Sequence, residues 1–146
     1  MNTPRTQAGF TFIELLAVLS VAGVLSGIAW PSFQGALHKA RRADALVALT
    51  QAQAAQERWR FNQRAYGTLA QIGLSGIAPG GHYTMAVLEA DTDRYVLQAL
   101  AIGAQAGDRA CRVLQLTVDG AQVTRASGRD EQAANDAAAN RRCWSL

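Results

Sequence analysis

The chain has 146 residues, 49% hydrophobic and 17% charged, with a formal charge of +3. That is one modest domain, or a smaller one plus an anchor, and the balance of high hydrophobicity and low charge excludes a largely disordered chain. Two cysteines are too few for a disulfide-rich scaffold or a four-cysteine zinc site, and there is no Gly-X-Y period or heptad array. Thirteen of the fourteen basic residues are arginine, scattered along the sequence, so nucleic-acid binding is permitted by the charge and not indicated by it.

Residues 1–9 are polar, with one charge at Arg5. A run from Phe10 to Trp30 follows, in which 15 of 21 residues are apolar. As a helix it spans roughly 30 Å, the thickness of a bilayer's hydrocarbon core. Core helices rarely stay apolar on all sides for that long. A secretory signal has a shorter apolar region and small residues at a cleavage site beyond it, whereas this run ends in Trp30-Pro31. A retained N-terminal membrane helix is the expectation. Glu14 is the anomaly within it, because an ionisable residue in such a span marks function by default. No Lys, Arg or His lies between Arg5 and His38. A partner for Glu14 must come from the chain's own N-terminus or from another molecule; otherwise the carboxylate sits hydrated at the headgroups.

The segment Gly9-Phe10-Thr11-Phe12-Ile13-Glu14-Leu15-Leu16 resembles the processing site and first turns of type IV prepilins. The resemblance implies cleavage between Gly9 and Phe10 by a membrane prepilin peptidase and N-methylation of Phe10. It also places the family's glutamate on Glu14 and its proline on Pro31, followed by Ser32-Phe33. By the same resemblance, the Phe10 amine of one subunit pairs with Glu14 of a neighbour during assembly. Such a pair sets axial register rather than adding net stability, since a subunit out of register leaves both charges unpaired. The chain then divides into a cleaved leader, 1–9, a membrane-spanning and filament-core helix, 10–31, and the rest of the helix with a globular head, 32–146.

From Pro31 to about Arg64 the composition favours helix. Ala43, Leu46, Val47, Thr50 and Ala54 form the stripe expected to pack on the head. Pro31 predicts a kink, and Gly23 and Gly27 form a Gly-x-x-x-Gly pair that allows close helix contact or is simply tolerated. Ala65 to Gly81 reads as an irregular loop. Strands are expected at 82–89, 94–102, 111–118 and 121–125, with Asp119-Gly120 as a hairpin turn and Asp91-Thr92-Asp93 as another. A short helical turn is expected around 131–139. The fold class is α+β: a long N-terminal helix on a four-stranded antiparallel sheet.

Cys111 and Cys143 are either two free buried thiols or one bridge, and in an oxidising compartment the bridge is expected. The layout resembles the disulfide-closed C-terminal region of type IV pilins, and Ala110-Cys111 with Cys143-Trp144 is most similar to the minor pilins of Gram-negative bacteria.

No nucleophile elbow, P-loop, Rossmann fingerprint or His-Glu-x-x-His occurs. Neither an enzyme nor a metal or other cofactor is expected. His38-Lys39-Ala40-Arg41-Arg42, just past the apolar run, would keep the head cytoplasmic by the positive-inside rule. The prepilin resemblance implies the opposite: a single-pass inner-membrane protein with a periplasmic head, later built into a surface pilus with other pilin subunits. The expected role is a structural, minor subunit of a type IV pilus. The alternatives are an adhesin or DNA-binding protein on the same scaffold, a type II secretion pseudopilin, or a membrane-anchored cytoplasmic domain. Clustering of Arg109, Arg112, Arg125, Arg141 and Arg142 on one surface would favour the reading as an adhesin or DNA-binding protein.

Overall fold

A computed structural model of the protein describes residues 9–145; the first eight leader residues lie outside it. The order is helix α1 (Phe12–Arg60), strand β1 (Tyr83–Ala90), strand β2 (Arg94–Ala101), two 3-10 turns (Gly103–Gly107 and Arg109–Cys111), strand β3 (Val113–Asp119), strand β4 (Gln122–Gly128) and helix α2 (Ala137–Trp144). The chain falls into two compact units, divided after Ala36.

The first unit is helical from Phe12, and α1 passes through Pro31 without a break. Its start is a reciprocal cap. The Glu14 amide donates to Thr11 Oγ1 at 3.3 Å, while the Thr11 amide donates to Glu14 Oε2 at 2.8 Å. That is the capping box of Thr-x-x-Glu, which satisfies two amides left without partners at the helix start. The large apolar side chains from Phe10 to Phe33 are exposed throughout, Phe10 at 86% and Ile28 at 72%. The helix contains an 18-residue apolar stretch, none of it buried, and is long and apolar enough to cross a membrane.

The second unit is the head. Its four strands form an antiparallel sheet in the order β1-β2-β3-β4, each paired with its sequence neighbour. Alternation sends Tyr83 and Met85, Tyr95, Leu97 and Ala99, and Leu114, Leu116 and Val118 into one core. The helix meets them with Ala45, Ala48, Leu49, Ala52 and Ala55. This corrects the expected stripe, because Val47 is 49% exposed and Thr50 and Ala54 face outward. Small side chains on the inner face let the helix lie close to a sheet that presents two tyrosines and several leucines. The next stripe around the helix is equally apolar, so hydropathy does not separate the two.

Polar side chains of α1 tie down the loops. Gln56 exchanges two hydrogen bonds with the backbone of Gly67. Asp44 accepts from the amides of Gly80 at 2.7 Å and His82 at 3.2 Å. A side chain on Gly80 would put its Cβ 2.8 Å from the Asp44 carboxyl carbon, so the close approach requires glycine. Asp119 pairs with Gln122 across a two-residue turn, and Gly120 takes φ 55° at its first position, as a tight hairpin needs.

Several boundaries move. Helix α1 ends at Arg60 rather than about Arg64, where Arg60 donates to the Thr92 and Gln63 carbonyls. The start of β3 shifts to Val113 because residues 109–111 form a 3-10 turn. The second helix is Ala137–Trp144, not 131–139; Ser127 and Ala134 form a two-way β-bridge that takes the preceding segment along the β4 edge.

Candidate functional site

At the amino end, Gly9 precedes the helix and is exposed, and Phe10 beside it is exposed as well. Glu14 sits two residues into the helix, with Thr11 Oγ1 also donating to its Oε2 at 2.7 Å. Among the described residues its partner is therefore a neutral cap. Pro31 is exposed on α1.

The second candidate region is built on the cysteines. Cys111 and Cys143 are bridged, with Cα atoms 5.4 Å apart. The bridge fixes α2 against the 3-10 turn at 109–111, and α2 also packs on β4. In the chain-entropy view a closed loop of this size contributes about 3–4 kcal/mol. Asp136 caps α2 by accepting from the Ala139 amide at 2.7 Å. Asn140 donates to the Arg125 carbonyl at 2.6 Å and accepts from Ser127 Oγ at 2.9 Å. Trp144 Nε1 donates to the Ala126 carbonyl at 3.2 Å, and the Arg125 guanidinium lies 5.4 Å from the Trp144 ring.

Beneath this corner lies a buried ion pair. Arg42 donates to both oxygens of Asp108, at 2.6 and 3.1 Å, and to the Arg142 carbonyl at 2.9 Å. Gln105 Nε2 lies within 3.1–3.3 Å of the Asp108 carboxylate, the Tyr83 hydroxyl and the His38 carbonyl. Burial pushes the Tyr83 phenol up to about 12, against a downward pull from its Gln105 bond. One member of the basic run after the apolar segment is thus a core residue that joins α1 to the disulfide-closed region. Arg42 shares the helix face of Ala45, Leu49, Ala52 and Gln56, and that shared spacing is the signal in the sequence that marks it.

The bridge draws four of the five anticipated arginines together. Arg109 and Arg112 flank Cys111, Arg141 and Arg142 precede Cys143, and the Arg125 guanidinium lies over the ring of Trp144 next in line. Among the described residues none of the five makes a salt bridge. Two carboxylates of this region are committed, Asp108 to Arg42 and Asp136 to the start of α2. The arginines at the β1–β2 hairpin are neutralised instead. Arg94 pairs with Glu89 at 3.0 Å and Asp119 at 3.2 Å, and Arg60 lies 4.0 Å from Asp93. Arg112 Nε is buried with no hydrogen-bond partner. The cleft between α1 and the 69–79 loop, about 190 Å³, is lined by Ala48, Leu69, Leu74 and Met85 among others, and no titratable side chain reaches it.

An apolar, capped N-terminal helix behind a Gly-Phe junction, a four-stranded antiparallel sheet and a bridged C-terminal segment together define a type IV pilin. The family comparison is narrower. The model for the type IV minor pilin ComP, DNA uptake sequence receptor, matches residues 31–115, more than half of the chain, and the protein belongs to that family of minor pilins. The prokaryotic N-terminal methylation motif matches residues 4–30. No curated protein matches the chain. The protein is a minor subunit of type IV pili.

Proposed function

We propose that the head of this minor pilin binds DNA during uptake, through the arginine corner closed by the disulfide. The observation that carries this reading is the set of five arginines without carboxylate partners, in a chain whose family is described as a DNA uptake sequence receptor. Phosphates attract such a surface at long range, and each one neutralised releases a counterion. A periplasmic head is supported by the Cys111–Cys143 bridge, which forms and persists in an oxidising compartment. That outweighs the small charge difference across the apolar run. In this reading the peptidase cuts between Gly9 and Phe10, Phe10 is methylated, and Glu14 exchanges its Thr11 cap for the Phe10 amine of a neighbouring subunit as the filament grows.

The test is DNA binding by the detergent-purified mature chain across a salt series. Affinity for duplex DNA falls steeply with salt, and the Arg141→Ala, Arg142→Ala double variant flattens the slope by up to about two phosphate contacts. Absence of salt-dependent binding would remove the DNA role and leave a structural subunit alone.

A further inference from the structure

We infer that Arg125 is the residue through which the head distinguishes one DNA sequence from another, and that Trp144 is the positioning residue that holds it ready. This rests on the DNA-binding reading above and adds a division of labour within the same corner.

Arg125 pairs with Leu116 across β3 and β4, so its side chain leaves the sheet on the side of Leu116. There it meets α2. Its guanidinium lies 5.4 Å from the Trp144 ring centroid, within the range of a cation–π contact. The indole is itself fixed by the bond from Nε1 to the Ala126 carbonyl and by the bridged Cys143 next to it. The backbone of Arg125 is held by Asn140 at 2.6 Å. Yet the side chain is exposed, and among the described residues its guanidinium makes neither a salt bridge nor a hydrogen bond. Orientation is therefore supplied by the cation–π contact with the ring, which uses none of its N–H donors.

That is the requirement for direct readout. The most frequent specific contact to DNA is a bidentate pair from one arginine to O6 and N7 of a guanine in the major groove. An arginine already held in one geometry loses less freedom on binding than a mobile one. The surrounding Arg109, Arg141 and Arg142 are exposed and have no such ring beneath them among the described contacts. They supply phosphate contacts, which set orientation and carry no sequence information. Both Arg125 and Trp144 lie beyond the residues matched to the family model.

The experiment uses the detergent-purified full chain and a pool of short randomised duplexes, with the bound fraction sequenced. The wild type enriches a motif with a fixed guanine. Replacing that guanine weakens binding by about ten- to one-hundred-fold. Arg125→Lys keeps the charge and binds unselected duplex as well as the wild type, yet no longer distinguishes the guanine. Trp144→Leu loses discrimination in the same way while its bridge still forms, and the Arg141→Ala, Arg142→Ala variant weakens all duplexes alike. A wild type that binds no duplex removes the DNA reading and this inference with it. A wild type that binds every duplex equally, or an Arg125→Lys chain that enriches the same motif as strongly, overturns the role of Arg125 and leaves DNA binding standing.

Discussion

The two units of the chain use the same residue types to opposite ends. From Phe10 to Phe33 leucine, valine, isoleucine and phenylalanine all point outward, whereas in the head Leu49, Leu97 and Leu114 are no more than 1% exposed. The head is complete in itself: its loops are tied by Gln56 and Asp44, its charges at the hairpin end are paired, and its last helix is bridged. The first unit is complete only at its cap, where Thr11 and Glu14 satisfy each other. One sequence therefore encodes a folded body and a segment whose apolar surface must be met by lipid or by other subunits. Changes in the first unit should act on assembly and spare folding; changes in the second should do the reverse.

The sharpest break is expected at Glu14. Glu14→Val should still be processed before Phe10 and should fold a normal head, since among the described residues Glu14 is hydrogen-bonded to Thr11 and not to the head. Its incorporation into sheared fibres should fall to background, measured by mass spectrometry of the fibre fraction. Undiminished incorporation would leave Glu14 as a cap and nothing more.

On the other side of the divide, Arg42→Ala leaves Asp108 buried with Gln105 as its remaining side-chain partner. Removing one half of a buried pair costs about 3–5 kcal/mol. Thermal unfolding of the detergent-purified chain should show that loss, and cleavage between Gly9 and Phe10 should be unaffected. A variant as stable as the wild type would mean that Asp108 is reached by water or takes up a proton once Arg42 is gone, and that the pair does not hold this end of the head together.

The smallest effect concerns alkaline pH. All three tyrosines of the chain are raised: Tyr83 to about 12, and Tyr66 and Tyr95 upward, in each case chiefly by burial. The folded head holds these protons more tightly than the unfolded chain, whose phenols titrate near 10. Their contribution to stability is therefore fully present below about pH 10 and is lost as pH rises through the folded values. Absorbance titration should show tyrosinate appearing together with loss of structure. Early ionisation at pH 10 in a head that stays folded would contradict the packing of Tyr83 and Tyr95.

What could be read in the sequence was mostly local. The Gly9-to-Leu16 motif is legible because it is one unbroken stretch of sequence within the matched N-terminal methylation motif, and the Asp119-Gly120 turn because only glycine takes that φ without strain. The strands were visible from alternation and the bridge from cysteine number. The register of α1 was not, because alanine on two adjacent faces makes the stripes indistinguishable until the sheet supplies its tyrosines. The end of α1 was missed because nothing like glycine or proline marks it; Arg60 ends it through contacts to Thr92 and Gln63. The place of α2 had a signal in Asp136, a side chain that favours an N-cap, but alanines on both sides of it hid the boundary. Arg42 reads as one more member of the basic run past the apolar segment because its partner, Asp108, is far away in sequence.

The buried pair of Arg42 and Asp108 also bears on heat. Hydration of ions carries a strongly negative entropy, so the cost of stripping water from these two groups falls as temperature rises. Apolar burial, by contrast, gains little more per unit area on warming. The middle of the head, where α1 lies on the sheet, depends on alanine methyls and leucines, while the end where α1, the 3-10 turns and α2 meet depends on charge. Warming thus shifts the head's cohesion toward the end that carries the unpaired arginines.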